Sequence, residues 1–398
     1  MIELLFGIFI GAVSGLTPGI HSNTLSAMII VYSGYLLNFF SPEQIPIMIF
    51  SAAITHTFLD IVPSVFTGVP DEDTAIAVLP AHDMVLDGRG VEAISISAFS
   101  SLFSFFLSLP LFFIFLTFLN RMSGLVDVIT IYFLISISIY IIMMERESFS
   151  TSMKKKFYAF SVFTVSGILG LVALKYSHLA ELTPASSVLL PLFSGLFASP
   201  ALITSIVEES RIPEQKLSSK LPGVKEVLTG SLSGSLVSIF PGVSSGVAAA
   251  ISSAGSRKSE QYISTISAAN TSNAMLCFAV FLTLGKIRSG AVDAASKFYF
   301  EVEALIIAGA LTSLAAALLT ILSGITASRI LPRLNFTLFS SLVLILLTFF
   351  IYFLTGWFGL MVYAIATPIG LSTLFLQVRR INCMGCLIIP VILFRAGF

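Results

Sequence analysis

The sequence predicts an all-α polytopic membrane protein made of two related halves, and three observations predict it. The 398-residue chain is 56% hydrophobic and only 11% charged, whereas a soluble domain carries roughly a quarter charged residues. Its uncharged runs, such as 94–119 and 335–353, match or approach the roughly 20 apolar residues needed to cross a bilayer. Finally, a glycine-spaced apolar segment interrupted at Pro-Gly occurs twice.

Breaking the apolar runs at charge clusters and Pro/Gly signals leaves twelve segments, near 3–37, 44–66, 92–119, 124–144, 157–175, 185–207, 226–254, 260–284, 298–327, 334–354, 357–376 and 381–396. Lipid requires a spanning backbone to satisfy its own hydrogen bonds, so these read as helices. Runs this long exclude the alternating pattern of an outer-membrane barrel. With 21 basic and 21 acidic residues, charge points to no nucleic-acid partner. The start lacks a basic n-region and carries Glu3, so no cleaved signal peptide is expected. The expected location is the cell membrane, as a multi-pass protein.

The duplication is visible residue by residue. Gly7, Gly11, Gly15, Pro18 and Gly19 correspond at one constant offset to Gly230, Gly234, Ser238, Pro241 and Gly242. Ser51, Ala52, Ala53 and Thr55 correspond, at a slightly smaller offset, to Ser267, Ala268, Ala269 and Thr271. This divides the chain into a first repeat at 1–207, a connecting loop at 208–225 and a second repeat at 226–398.

The glycines suit close helix packing in lipid. The Pro-Gly removes a backbone donor in mid-segment and invites a break. The arms 227–240 and 243–254 span only about 20 Å each at 1.5 Å per residue, too short for a core of about 30 Å. Each broken segment is therefore either a kinked span or a re-entrant hairpin. Re-entry collects 15 of the 21 Lys/Arg on one side, including Arg89, Arg329 and Arg333, which the positive-inside rule favours. The expected fold is then two inverted structural repeats, with about ten transmembrane helices plus two re-entrant or broken helical hairpins with Pro-Gly tips. Secondary transporters commonly share that plan.

Broken helices present unpaired N–H groups and a positive dipole end inside the membrane, which can hold an anion. His21, Ser22, Asn23 and Thr24 follow the first break, and Ser244, Ser245 and Gly246 follow the second. These side chains either cap the new helix start or contact a ligand, and the two roles are compatible. The paired second and eighth segments add Thr55, His56, Thr57 and Asp60, then Asn270, Thr271, Ser272 and Asn273. Intramembrane polar groups face a cavity or a partner. His56 and Asp60, four apart on one helical face, can form a proton-linked pair, a sodium site with nearby oxygens, or a static hydrogen bond. The candidate coupling residues are Thr55, His56, Asp60 and Thr271, with H+ or Na+ as the ion.

Other features read more plainly. The acids Asp71, Glu72 and Asp73 lie in a polar interruption that resembles no hard-cation loop and reads as a solvated loop. Cys383 and Cys386 lack the further ligands a zinc site needs and read as small packing residues. No nucleophile elbow, phosphate loop or His-Glu-x-x-His motif occurs, so neither a catalytic site, nor a cofactor, nor a resident metal is expected. An intramembrane enzyme would have only His56, Asp60 and the acids at 71–73 to work with.

The glycine spacing before Pro18-Gly19, the later Val69-Pro70 with Thr74-Ala75, the Asp87-Gly88-Arg89-Gly90 stretch with Glu92-Ala93, Pro241-Gly242-Val243 and Asn270-Thr271-Ser272-Asn273 together resemble the large permease subunit of tripartite tricarboxylate transporters (TctA-like). That resemblance implies secondary transport of a small organic anion such as a di- or tricarboxylate. It also implies a small membrane subunit and an extracytoplasmic solute-binding protein as partners. Pro18, Gly19, His21, Asn23, Pro241, Gly242, Ser244, Ser245 and Asn270 would surround the substrate path, and Ser22 and Asn273 lie beside them in sequence. This chain departs from the family in being shorter and in carrying Asp71-Glu72-Asp73 where a neutral Pro-Gly-x-Pro stretch is usual. The run from Pro241 to Gly246 also resembles an element of polyprenyl-phosphate translocases, which makes lipid-phosphate translocation the alternative.

Overall fold

The computed structural model describes residues 1–17, 22–67, 78–145, 149–180, 182, 186–208, 211–241, 243–252 and 258–397. Every regular element among them is helical. The first half comprises α1 (Ile2–Leu16), α2 (Ser22–Val31), α3 (Ser33–Leu36), α4 (Gln44–Leu59), α5 (Ile61–Thr67), α6 (Val78–Leu86), α7 (Gly90–Phe118), α8 (Ser123–Met143), α9 (Phe149–Lys175), α10 (Leu189–Phe193) and α11 (Ser199–Val207). The second comprises α12 (Val224–Ile239), α13 (Ser245–Ser252), α14 (Ser259–Leu284), α15 (Gly290–Ala295), α16 (Val302–Ile330), α17 (Phe336–Phe375) and α18 (Gly385–Arg395). Among the described residues, eight helical stretches are long and apolar enough to cross a membrane, and the protein is a multi-pass integral membrane protein.

The longest stretch, α17, answers to two of the expected segments. Gly356 lies inside it at φ 64° and ψ −159°, a backbone conformation open only to glycine. The helix is thereby divided into two arms, each of about 30 Å at 1.5 Å per residue.

The glycine stripes determine how the broken segments pack. A Cβ on Gly7 would lie 2.5 Å from the Met48 carbonyl oxygen, and one on Gly11 would meet Ala52 and lie 2.8 Å from Thr55 Cβ. One on Gly15 would lie 3.0 Å from Leu59 Cβ. Contact positions on α4 thus rise with those on α1, so the two helices run parallel. In the second half Gly230 faces Thr265 and Ala268, and Gly234 faces Ala269, so α12 and α14 also run parallel. Bare backbone at these positions lets the helices approach closely enough to gain dispersion contacts that lipid cannot provide.

The halves interlock through their long helices. Phe50 stacks edge-on with Phe278 at 4.8 Å, Thr57 meets Thr271 and Asp60 meets Asn270, so α4 and α14 cross in opposite directions. Gly309 faces Phe105 while Gly324 faces Ile94, so α7 and α16 are also antiparallel. By contrast α7 and α14 run parallel, joined by hydroxyls. Ser100 donates to Ser264 (2.9 Å), Ser104 to the Ala268 carbonyl (2.6 Å) and Ser108 to Ser272 (2.9 Å). Ser231 of α12 donates to Ser104 and Ser272 returns a bond to the Ser231 carbonyl, each 2.8 Å.

The connector has no regular secondary structure over 211–223 and is fastened to the start of α7. Lys216 N–H donates to Gly88 O (2.8 Å) and Lys220 N–H to Ser95 Oγ (2.9 Å), while Gly90 N–H donates to Gln215 Oε1 (2.8 Å). Beside it Glu260, at the start of α14, takes ion pairs from both Arg89 and Lys220. Hydrogen bonds to Glu92 and then Glu260 hold the Arg89 guanidinium above its ordinary range.

Candidate functional site

Five of the polar residues singled out in the sequence, Thr57, Asp60, Ser245, Asn270 and Thr271, meet where α4 crosses α14. Asp60 occupies the turn between α4 and α5 and is 3% exposed. Asn270, in the middle of α14, donates from Nδ2 to Asp60 Oδ2 at 2.8 Å. Its Oδ1 accepts from Ser245 Oγ at 3.4 Å. Ser245 is the first residue of α13, so one chain of hydrogen bonds runs from the helix after the second break, through α14, to the first half. Thr57 and Thr271 share a hydrogen bond of 3.3 Å. A carboxylate this deep in an apolar bundle is costly to ionise without hydrogen bonds and a counter-charge, and Asn270 supplies one such hydrogen bond.

Ser244 lies just before α13 and accepts from Val247 N–H at 3.4 Å, so it caps that helix. Ser245 is fully buried, and Pro241 is half-buried at the turn after α12. Asn273, one turn beyond Asn270, is half-buried and accepts a weak hydrogen bond from Cys277 Sγ. Pro18, Gly19, His21 and Gly242 lie outside the described residues, as do Asp71, Glu72 and Asp73. Ser22 and Asn23 open α2, but their side chains lie outside the description.

The residues expected to handle a coupling ion do not all face one place. His56 Nδ1 is 3.0 Å from Ser14 Oγ, so its ring is engaged with α1, while Asp60 turns to α14. Thr55 is fully buried and packs directly beneath Gly11, away from that crossing. Asp60 and Thr271 do come together, each through a hydrogen bond spanning the α4–α14 crossing. No group of three or more His, Cys, Asp or Glu that could hold a metal ion occurs among the described residues.

Sequence reasoning missed Ser14 and the serines of α7. Ser14 extends the α1 glycine stripe and donates back to Gly11 O at 3.0 Å, leaving its oxygen beside His56. The spacing of Ser100, Ser104 and Ser108 was available as a signal, since residues four apart share a helix face.

Comparison with known proteins agrees with this picture. The chain is 27% identical over 410 aligned positions to an uncharacterized protein of Methanocaldococcus jannaschii, MJ1079, covering 99% of this chain and 98% of that one. No solved structure matches the chain. Residues 1–385, from the first glycine stripe to the start of α18, match the tripartite tricarboxylate transporter TctA family. That match takes in both broken segments and the crossing that joins them, and so the chain belongs to the TctA family of membrane transport proteins.

Proposed function

We propose that the protein is a secondary active transporter of a small organic anion of the di- or tricarboxylate class, built as two inverted repeats. The observation that carries this reading is the hydrogen-bonded chain Ser245–Asn270–Asp60, which joins the helix after one break to the opposite half. The opposed directions of α4 and α14, which hold equivalent places in the two halves, support inversion. The parallel runs of α1 with α4 and of α12 with α14 support re-entry, because a hairpin returns the chain to the side from which the next helix starts. Dividing α17 at Gly356 raises the eight membrane-long stretches to nine, which supports the plan of about ten crossings.

In this reading the substrate carboxylates rest at the N-termini of α2 and α13, where backbone N–H groups and the dipole favour negative charge. An ionised Asp60 nearby repels such an anion. A proton on Asp60, or a sodium ion shared with the Thr57, Thr271 and Ser245 oxygens, removes that repulsion. Cation and anion then each raise the other's affinity, and that reciprocity is the basis of coupling. The family's tripartite organisation supports a small membrane subunit and an extracytoplasmic solute-binding protein as partners.

The test is uptake of labelled citrate by vesicles containing the protein, alone and with such partners, under an imposed proton or sodium gradient. Uptake should follow one gradient and lose that dependence in Asp60→Asn. Citrate and smaller dicarboxylates all failing to enter under either gradient, or an unchanged gradient response in the variant, would sink the reading.

A further inference from the structure

Beyond the tip of α1 lies an apolar crevice of about 640 Å³, bounded by Leu16 and Thr17, by α5, by the last part of α16 and by the first part of α17. Its volume falls in the range of ligand pockets, yet it offers almost nothing to a polar ligand. The Thr17, Thr67 and Thr326 hydroxyls all donate to carbonyls of their own helices, those of Val13, Pro63 and Leu322. Leu322, Leu342 and Leu346 are more than half exposed along it. On α16 the lining runs from Leu319 to Ile330, about 16 Å at 1.5 Å per residue. That is one leaflet's share of a core about 30 Å thick.

The charged end of the crevice identifies its occupant. Ile330 and Leu331 close the lining at this end, and Arg329, in the last turn of α16, and Arg333, in the short 3₁₀ turn Leu331–Arg333 that follows it, flank them in the chain. Both are exposed, and neither forms an ion pair or hydrogen bond with another described residue. One arginine there would suit the negative end of the helix dipole, but that does not account for two beside the end of the crevice. In the re-entrant reading of the broken segments, on which this inference rests, they lie on the side that collects most of the Lys/Arg, and anionic lipids are enriched in the leaflet facing that side.

We infer that this crevice is a binding site for an anionic phospholipid of that leaflet. One acyl chain lies between α5, α16 and α17 against the tip of α1, and the phosphate headgroup rests on Arg329 and Arg333. The bound chain supports the end of α1 where the broken segment begins. This inference does not depend on what the protein carries.

The test titrates the purified full-length protein with phosphatidylglycerol or phosphatidylcholine and counts bound lipids by native mass spectrometry. Phosphatidylglycerol should bind roughly 30-fold more tightly, which follows from about 1 kcal/mol for each of two basic residues. The double variant R329Q/R333Q should lose most of that preference, and Leu342→Trp should weaken both lipids by narrowing the crevice. Arg121→Gln, which removes an exposed arginine at the far end of α7, should leave the preference intact and controls for general charge. Equal binding of the two lipids, a preference that survives R329Q/R333Q or falls equally in R121Q, or unaltered binding in a folded L342W would overturn the proposal. So would movement of polyprenyl phosphate between leaflets that L342W abolishes, since the crevice would then be a substrate route.

Discussion

Asn270 donates its side-chain N–H to the Asp60 carboxylate at 2.8 Å, and that single bond joins the middle of α14 to the end of α4. Removing the donor with Asn270→Ala leaves a buried carboxylate oxygen without this partner, at a cost of about 1–3 kcal/mol or more. Asp60→Asn should cost less, because an amide needs less compensation there than a charge. A double-mutant cycle on thermal unfolding in detergent should give a coupling of about 0.5–3 kcal/mol. Strict additivity would mean that the two side chains do not interact.

The glycine stripes make a symmetrical prediction. Any side chain at Gly11 or Gly234 meets the backbone of Ala52 or Ala269 respectively, and backbone cannot turn aside as a rotamer can. Gly11→Leu and Gly234→Leu should each destabilise by at least about 1–3 kcal/mol, read as a lower melting temperature and reduced yield. The same change at Gly34, where a Cβ would meet nothing within 4 Å, should be close to neutral on the same assay.

The serine ladder between α7 and α14 should be individually weak and collectively important. Ser100→Ala, Ser104→Ala and Ser108→Ala should each cost about 0.6 kcal/mol, with a ceiling near 1.7 kcal/mol, as interhelical hydrogen bonds in membranes do. Ser104 should cost the most, because it both donates to Ala268 O and accepts from Ser231. Denaturant titration of the three single variants and the triple variant checks the order.

Gly356 should tolerate no side chain. At φ 64° and ψ −159°, Gly356→Ala carries backbone strain on the order of 1–3 kcal/mol, and its Cβ would lie 2.8 Å from Leu182 Cδ1. The expected result is a lowered melting temperature that a second substitution, Leu182→Ala, relieves only in part. Full rescue would mean that sterics alone, and not backbone conformation, hold glycine there.

Much of this was legible in the sequence because lipid leaves few choices. Apolar length dictates helices, and the recurring glycine and Pro-Gly positions mark the paired segments α1 with α2 and α12 with α13. The polar set on α4 and α14 stood out because polar groups in apolar helices need partners. Partner choice was less legible. His56 and Asp60 share a helix face in sequence, but α1 and α14 approach that face from different directions and engage one each. Thr55, a candidate coupling residue by sequence, packs against Gly11 of α1.

The sequence by itself determined that the chain is a helical membrane protein, and it pointed to two related halves with a Pro-Gly in each, because hydropathy and small-residue spacing are local properties. Only the tertiary structure decided which helices cross, that α4 and α14 oppose each other while α1 and α12 run beside them, and that Asp60 answers to Asn270. Those relations depend on contacts between residues from about forty to over two hundred positions apart, and no local pattern specifies which face of a helix meets which neighbour.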